Sequence, residues 1–204
     1  WLVKNSWGSG WGIEGSGYFW LSYYDRTISQ ATSFQQSVES YDNNYQYDYL
    51  GLASNMQYNP FGSEASVANV FTANGSEELS AVSAITQTPG STVSIKIYSL
   101  PAGTIGPVPQ GAQPLAQKQV TLSYAGYHTI ALDTPVALAA GAKFSVVETI
   151  KGNDGNYYTP IEIGATANGQ TAVCNDGESY WAHGGSFEDL STLSESGMTI
   201  GNAM

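Results

Sequence analysis

Basic residues are scarce in this chain: six Lys and Arg stand against seventeen Asp and Glu, for a formal net charge of -11 at pH 7. A field of that sign repels a phosphate backbone, and no basic patch offsets it, so nucleic acid is excluded as a partner. An anionic membrane surface is disfavoured on the same ground. Cysteine is nearly absent as well. Cys174 alone cannot form an internal disulfide or a Cys-rich zinc site. No apolar run approaches the roughly 20 residues of a membrane span, which argues against membrane insertion. The sequence also lacks a G-x-S-x-G elbow, a phosphate-binding glycine loop and an H-E-x-x-H pair.

Tyrosine and glycine are plentiful, at 14 and 23 of 204 residues, while charged residues make up only 11%. Such a polar, weakly charged composition suits an all-β extracellular module better than a helical cytosolic enzyme. Short strand patterns recur from Tyr45 onward: YQYDYLG, SVANVFTA, EELSAVSAI, TVSIKIYSL, QKQVTLSY, YHTIALD, KFSVVETI and PIEIGA. Alternation is cleanest in the fourth, where Val93, Ile95 and Ile97 oppose Ser94, Lys96 and Tyr98. In EELSAVSAI, Leu79, Ala81 and Ile85 share one face, but Ser83 interrupts it and Val82 points away. Between the patterns lie turn sequences such as Asn153-Asp154-Gly155 and Asn175-Asp176-Gly177. The stretch from Pro101 to Pro114, with four Pro and three Gly, is expected to lie outside the sheets. MTIGNAM at the carboxyl end reads as a last strand. Together these patterns predict a β-sandwich of jelly-roll type.

The opening stretch, WLVKNSWGSGWGIEGSGYFWLSYYD, differs in character: two strand-like segments flank a glycine-rich turn, and the first begins inside an element. Lys4-Asn5-Ser6-Trp7-Gly8, Trp11-Gly12 and Gly17-Tyr18 resemble the asparagine region of papain-like cysteine peptidases, with their Cys-His-Asn triad. The resemblance implies that Asn5 orients the catalytic histidine, that Trp7 shields the Asn–His bond from water, and that Trp11 belongs to the active-site rim. Gly8, Gly10 and Gly12 would let the turn pass close beneath these rings. In that family the thiol and the histidine lie upstream of this strand, so the missing amino-terminal part of the peptidase domain is the implied partner. The chain itself is expected to be catalytically inert. Cys174, with His128 or His183, is the one thiol–imidazole option left, and it reads as a partly buried small hydrophobe.

Residues 1–28 are thus expected to be the terminal hairpin of a peptidase domain, 29–44 a linker, and 45–204 a sandwich. Within the last of these, YQYDYLG, ANVFTANGSEELSAVSA, YAGYHTIALDTPVALAAGAKFSVVETI and GESYW occur in an order that resembles the lectin-like domain following papain-like peptidases in bacterial cell-surface proteins. The resemblance implies a secreted or cell-surface bacterial protein whose sandwich positions the peptidase or binds cell-wall glycan or a surface protein. A stand-alone carbohydrate-binding or adhesive module is the alternative. Aromatic faces stack on sugar rings while amides and carboxylates take hydroxyls, which nominates Tyr157, Tyr158, Tyr180 and Trp181 with Asn175 and Asp176. No cofactor is required. A structural calcium ion, were one bound, would draw on Asp42, Asn43, Asp48 and Asp154.

Overall fold

The computed structural model describes residues 1–27, 40–47, 55–58, 64–163, 166–167, 170–171, 173–195 and 198–203. The chain divides into two compact units, Trp1–Asn43 and Asn44–Met204.

In the first unit, β1 (Leu2–Lys4) pairs antiparallel with β2 (Tyr18–Trp20), Val3 lying opposite Phe19. A single 3-10 turn, Ile13–Gly15, breaks the long connection between them. Two glycines are required by close backbone approach. A Cβ on Gly12 would sit 2.3 Å from the Tyr18 carbonyl oxygen, and one on Gly17 would sit 2.9 Å from that of Gly8. Both residues also have positive φ, a region costly for any side chain. Gly8 and Gly10 meet nothing within 4 Å, so the tight passage belongs to Gly12 and Gly17 instead.

The second unit is all-β. Its strands are β3 (Asn55–Tyr58), β4 (Ala65–Thr72), β5 (Glu77–Thr86), β6 (Ser91–Ser99), β7 (Ala116–Leu122), β8 (Gly126–Leu138) and β9 (Lys143–Lys151). They continue with β10 (Tyr157–Ile163), β11 (Thr166–Ala167), β12 (Gln170–Thr171), β13 (Ser179–His183), β14 (Ser186–Asp189), β15 (Ser194–Glu195) and β16 (Met198–Ala203). A ten-stranded antiparallel sheet runs through the neighbours β14, β13, β4, β9, β6 and β7, with β10, β3, β16 and β15 extending it. The long β5–β8 ribbon packs over one face. MTIGNAM contributes β16, and residues 101–114 carry no strand, both as expected.

The core between sheet and ribbon follows the alternation of the sequence. Val93, Ile95 and Ile97 are each 1% exposed or less and pack with Phe144, Val146 and Ile150 of β9. Opposite them lie Val82 and Ala84 of β5 and Ile130, Leu132, Val136 and Leu138 of β8. Each such buried aliphatic side chain contributes about 1.5–3 kcal/mol.

The irregular pattern in EELSAVSAI has a structural cause. Leu79 opposes Val136, but Ala81 opposes Ala131, so β8 carries extra residues in a bulge that includes Pro135. The bulge flips the phase of β5: Leu79 faces the core before it, and Val82 and Ala84 face the core after it. The expected shared face of Leu79, Ala81 and Ile85 therefore does not form.

In YQYDYLG, Tyr45–Tyr47 make no strand and the remaining residues lie outside those described. The tyrosines are held by side chains instead. Tyr47 stacks on Phe71 at 4.9 Å and donates its hydroxyl to the Val70 carbonyl, while Tyr45 bonds to Glu77 and accepts from the Asn74 amide.

Candidate functional site

Asn5 follows directly on β1, where its amide donates to the Gly17 carbonyl at 2.9 Å. Its Oδ1 accepts from the Trp7 amide at 2.9 Å, and its Nδ2 is buried without a hydrogen-bond partner. The side chain is therefore fixed by an Asx turn rather than free to rotate. Trp7, Trp11 and Phe19 form a chain of edge-to-face contacts, with centroids 6.0 and 5.2 Å apart. Trp7 is 82% exposed and Trp11 49%, so the aromatic ledge beside Asn5 is open.

The single thiol has no such setting. Cys174 packs with Val67, Ile161, Leu190, Ile200 and Ala203, and burial pushes its thiol up to about 11. A thiol held protonated in an apolar cluster is a poor nucleophile. His128 lies on the ribbon and bonds the Tyr124 carbonyl at 2.9 Å, and His183 stacks on Trp181.

The residues nominated as sugar ligands fall in three places. Tyr158 is buried, and its hydroxyl donates to Asp154 at 2.6 Å. Tyr157 lies beneath the Lys151 ammonium, 5.6 Å from the ring centroid. Asn175 closes its own turn onto Glu178 through both its amide and its side chain, each at 2.9 Å. Tyr180 and Trp181 are consecutive in β13 and project to opposite faces. Trp181 packs on the Cys174 cluster, whereas Tyr180 packs against Ala68, Tyr98 and Val147.

That second face carries a concavity, a trough of about 1400 Å³ to which Tyr180 and Asp176 both contribute. Register shows how its floor is built. One cross-strand row runs Asp189, Tyr180, Ala68, Val147, Lys96, Gln117 across six strands. The row beside it runs Phe187, Ala182, Ser66, Thr149, Ser94, Gln119, with Ser66 and Thr149 hydroxyls 2.6 Å apart. At a strand spacing of about 4.8 Å, each row extends for about 24 Å. The loop at 101–114 forms one wall. Pro107 is fully buried there, and its carbonyl accepts from the Ser145 hydroxyl at 2.5 Å. Val108 and Ala112 of the same loop pack on the cluster containing Tyr98.

Lys96, Gln117, Gln119 and Thr149 were not among the residues nominated from sequence, yet the signal was there. Each occupies the outward phase of its strand, opposite the face that carries Ile95, Val120 and Ile150. Burial, reinforced by Asp189 and Asp176, raises the Tyr180 phenol pKa, so this hydroxyl stays a donor at neutral pH. Asp189 is committed in part, since it accepts from the amides of Gly177 and Ser191.

Asp154 accepts from Asn156 and Tyr158 through both oxygens, which leaves little of it for a metal. Among the described residues no three His, Cys, Asp or Glu side chains gather closely enough to hold an ion. Asp42 and Asn43 are described, and Asp48 lies outside the described residues.

A family model described as "Lectin like domain" matches residues 44–200. Two solved structures are similar over 98% of the chain. One is the clostridial cysteine protease Cwp84 after propeptide cleavage, at 29% identity and a TM-score of 0.69. The other comprises the cysteine protease and lectin-like domains of Cwp84, a surface layer associated protein of Clostridium difficile, at 31% identity and a TM-score of 0.68. The chain covers 49% and 44% of those two chains, about half their length. At such coverage the match takes in the amino-terminal hairpin as well as the sandwich. No curated protein matches the chain significantly.

Proposed function

The chain belongs to the lectin-like domain family, and from that premise we propose that its sandwich binds glycan at a bacterial cell surface and thereby positions a cysteine peptidase. The observation that carries the reading is the trough. Its floor presents uncharged hydroxyl and amide groups, Ser66, Ser94, Thr149, Gln117 and Gln119, beside the aromatic edge of Tyr180. Neutral donors and acceptors in a concave surface, next to one half-buried ring, suit a hydroxyl-rich ligand. A glycan-array screen tests this directly. Binding by the wild type, lost in Tyr180→Ala and kept in Trp181→Phe on the opposite face, is the expected pattern. Binding to no glycan defeats it.

The hairpin has a separate role in the same proposal. Asn5, already oriented by the Trp7 amide, would complete a Cys-His-Asn site together with the upstream part of the peptidase domain, under the ledge of Trp7 and Trp11. In the intact peptidase, Asn5→Ala should lower kcat while leaving glycan binding unchanged. The chain alone is proposed to be inert, since its one thiol is buried and protonated. A structural calcium ion stays in the proposal on oxygen-donor chemistry alone, with no ligand set assigned to it. A chelator would then lower Tm.

A further inference from the structure

The trough is not electrically uniform. Six charged side chains line it: Glu64, Asp133, Asp176, Asp189, Lys96 and Lys118. Lys118 is paired with Asp133 at 2.6 Å, which neutralises that end. Lys96 has no carboxylate partner among the described residues, and it is exposed in the middle of the floor between Gln117 and Val147. A structural surface lysine is normally solvated on an open strand face. This one stands in a walled concavity, in the same cross-strand row as Tyr180, three strands away. The separation is about 14 Å by strand spacing. The row's one acidic group, Asp189, lies at the far end beyond Tyr180 on β14, and Asp176 lines the trough from the turn before β13.

We infer that the trough selects an oligosaccharide carrying one anionic group, with that group at Lys96 and a sugar ring on Tyr180. The inference rests on the glycan reading above and names its ligand class. Lysine recognises an anion as a compact point charge, which suits a carboxylate or a phosphate substituent alike. A polyanion is rejected, because Asp176 and Asp189 close the other end of the row and the whole chain carries -11. The spacing sets a minimum size too. A monosaccharide cannot reach both Tyr180 and Lys96, so affinity should climb with chain length until several linked rings span the two.

Isothermal titration with three matched oligosaccharides tests this: one neutral, one bearing a single uronic acid, and one bearing a single phosphate. The wild type should bind at least one anionic member about tenfold more tightly than the neutral one. The two anionic arms identify which substituent is read. Lys96→Gln should bring the anionic and neutral affinities together, and Lys96→Arg should restore most of the preference. Equal affinity for neutral and anionic ligands, or a preference that survives Lys96→Gln, overturns the anion assignment and leaves the glycan reading standing. Failure to bind any of the three, at any length, overturns both.

Discussion

Two buried residues carry consequences for single side chains. Glu148 lies in β9 between Val67 and Ile95 on the core side of the sheet, and its Oε2 has no hydrogen-bond partner. Burial pushes its carboxyl from the ordinary 4.5 up to about 8. The folded state therefore holds a proton that the unfolded chain releases. Its stabilising effect is complete below pH 4.5 and declines as pH rises to about 8, at about 1.4 kcal/mol per unit. Urea denaturation should show Glu148→Gln gaining stability over the wild type at pH 8, with the gain shrinking toward pH 5. An equal difference at both values would mean that the carboxyl is not protonated in the fold. Cys174 gives the second test. With its thiol pushed up to about 11 and its side chain in an apolar cluster, it should resist alkylation in the native protein at pH 8 and react once the chain is unfolded. Rapid native labelling, or thiol-sensitive hydrolysis lost in Cys174→Ser, would contradict its inert role.

Among the elements, the turn after β9 and the wall loop are where packing is most demanding. A Cβ on Gly152 would come within 2.4 Å of Asp154 Oδ1 and 2.6 Å of the Tyr158 ring. Gly152→Ala should thus break the Asp154–Tyr158 bond and cost about 1–3 kcal/mol in a denaturation experiment. Ser145→Ala removes the hydroxyl that holds Pro107. It should cost about 1 kcal/mol and weaken glycan binding by loosening the wall of the trough. Elements of this kind differ in how far they can be read from sequence. The Val93, Ile95, Ile97 alternation specified β6 and its inward face because period 2 admits a single phase there. The β5 pattern misled because a bulge changes phase midway, and local alternation carries no sign of the partner strand's extra residues. Tyr45 and Tyr47 resembled strand residues by composition, but their hydroxyl bonds and the stacking on Phe71 are long-range and leave no local pattern. The candidate site was half legible. Tyr180 and Asp176 stood out as aromatic and acidic neighbours of a turn. Lys96 and Gln117 belong to different segments and meet only through register, which no single segment encodes.

At the scale of the whole molecule, the two units carry different surfaces. The hairpin presents a pre-oriented asparagine with an exposed aromatic ledge. The sandwich presents a long polar trough whose floor is the sheet face away from the ribbon. One face of the sheet is buried under β5–β8, and the Pro101–Pro114 loop covers part of the other beside the trough. Chemical-shift mapping of the labelled chain during titration with a cell-wall oligosaccharide tests the central claim most directly. The amides of Lys96, Gln117, Thr149 and Tyr180 should shift together, with Trp181 and His183 unmoved. Shifts centred on Trp181 and His183, or no shift anywhere, would contradict it.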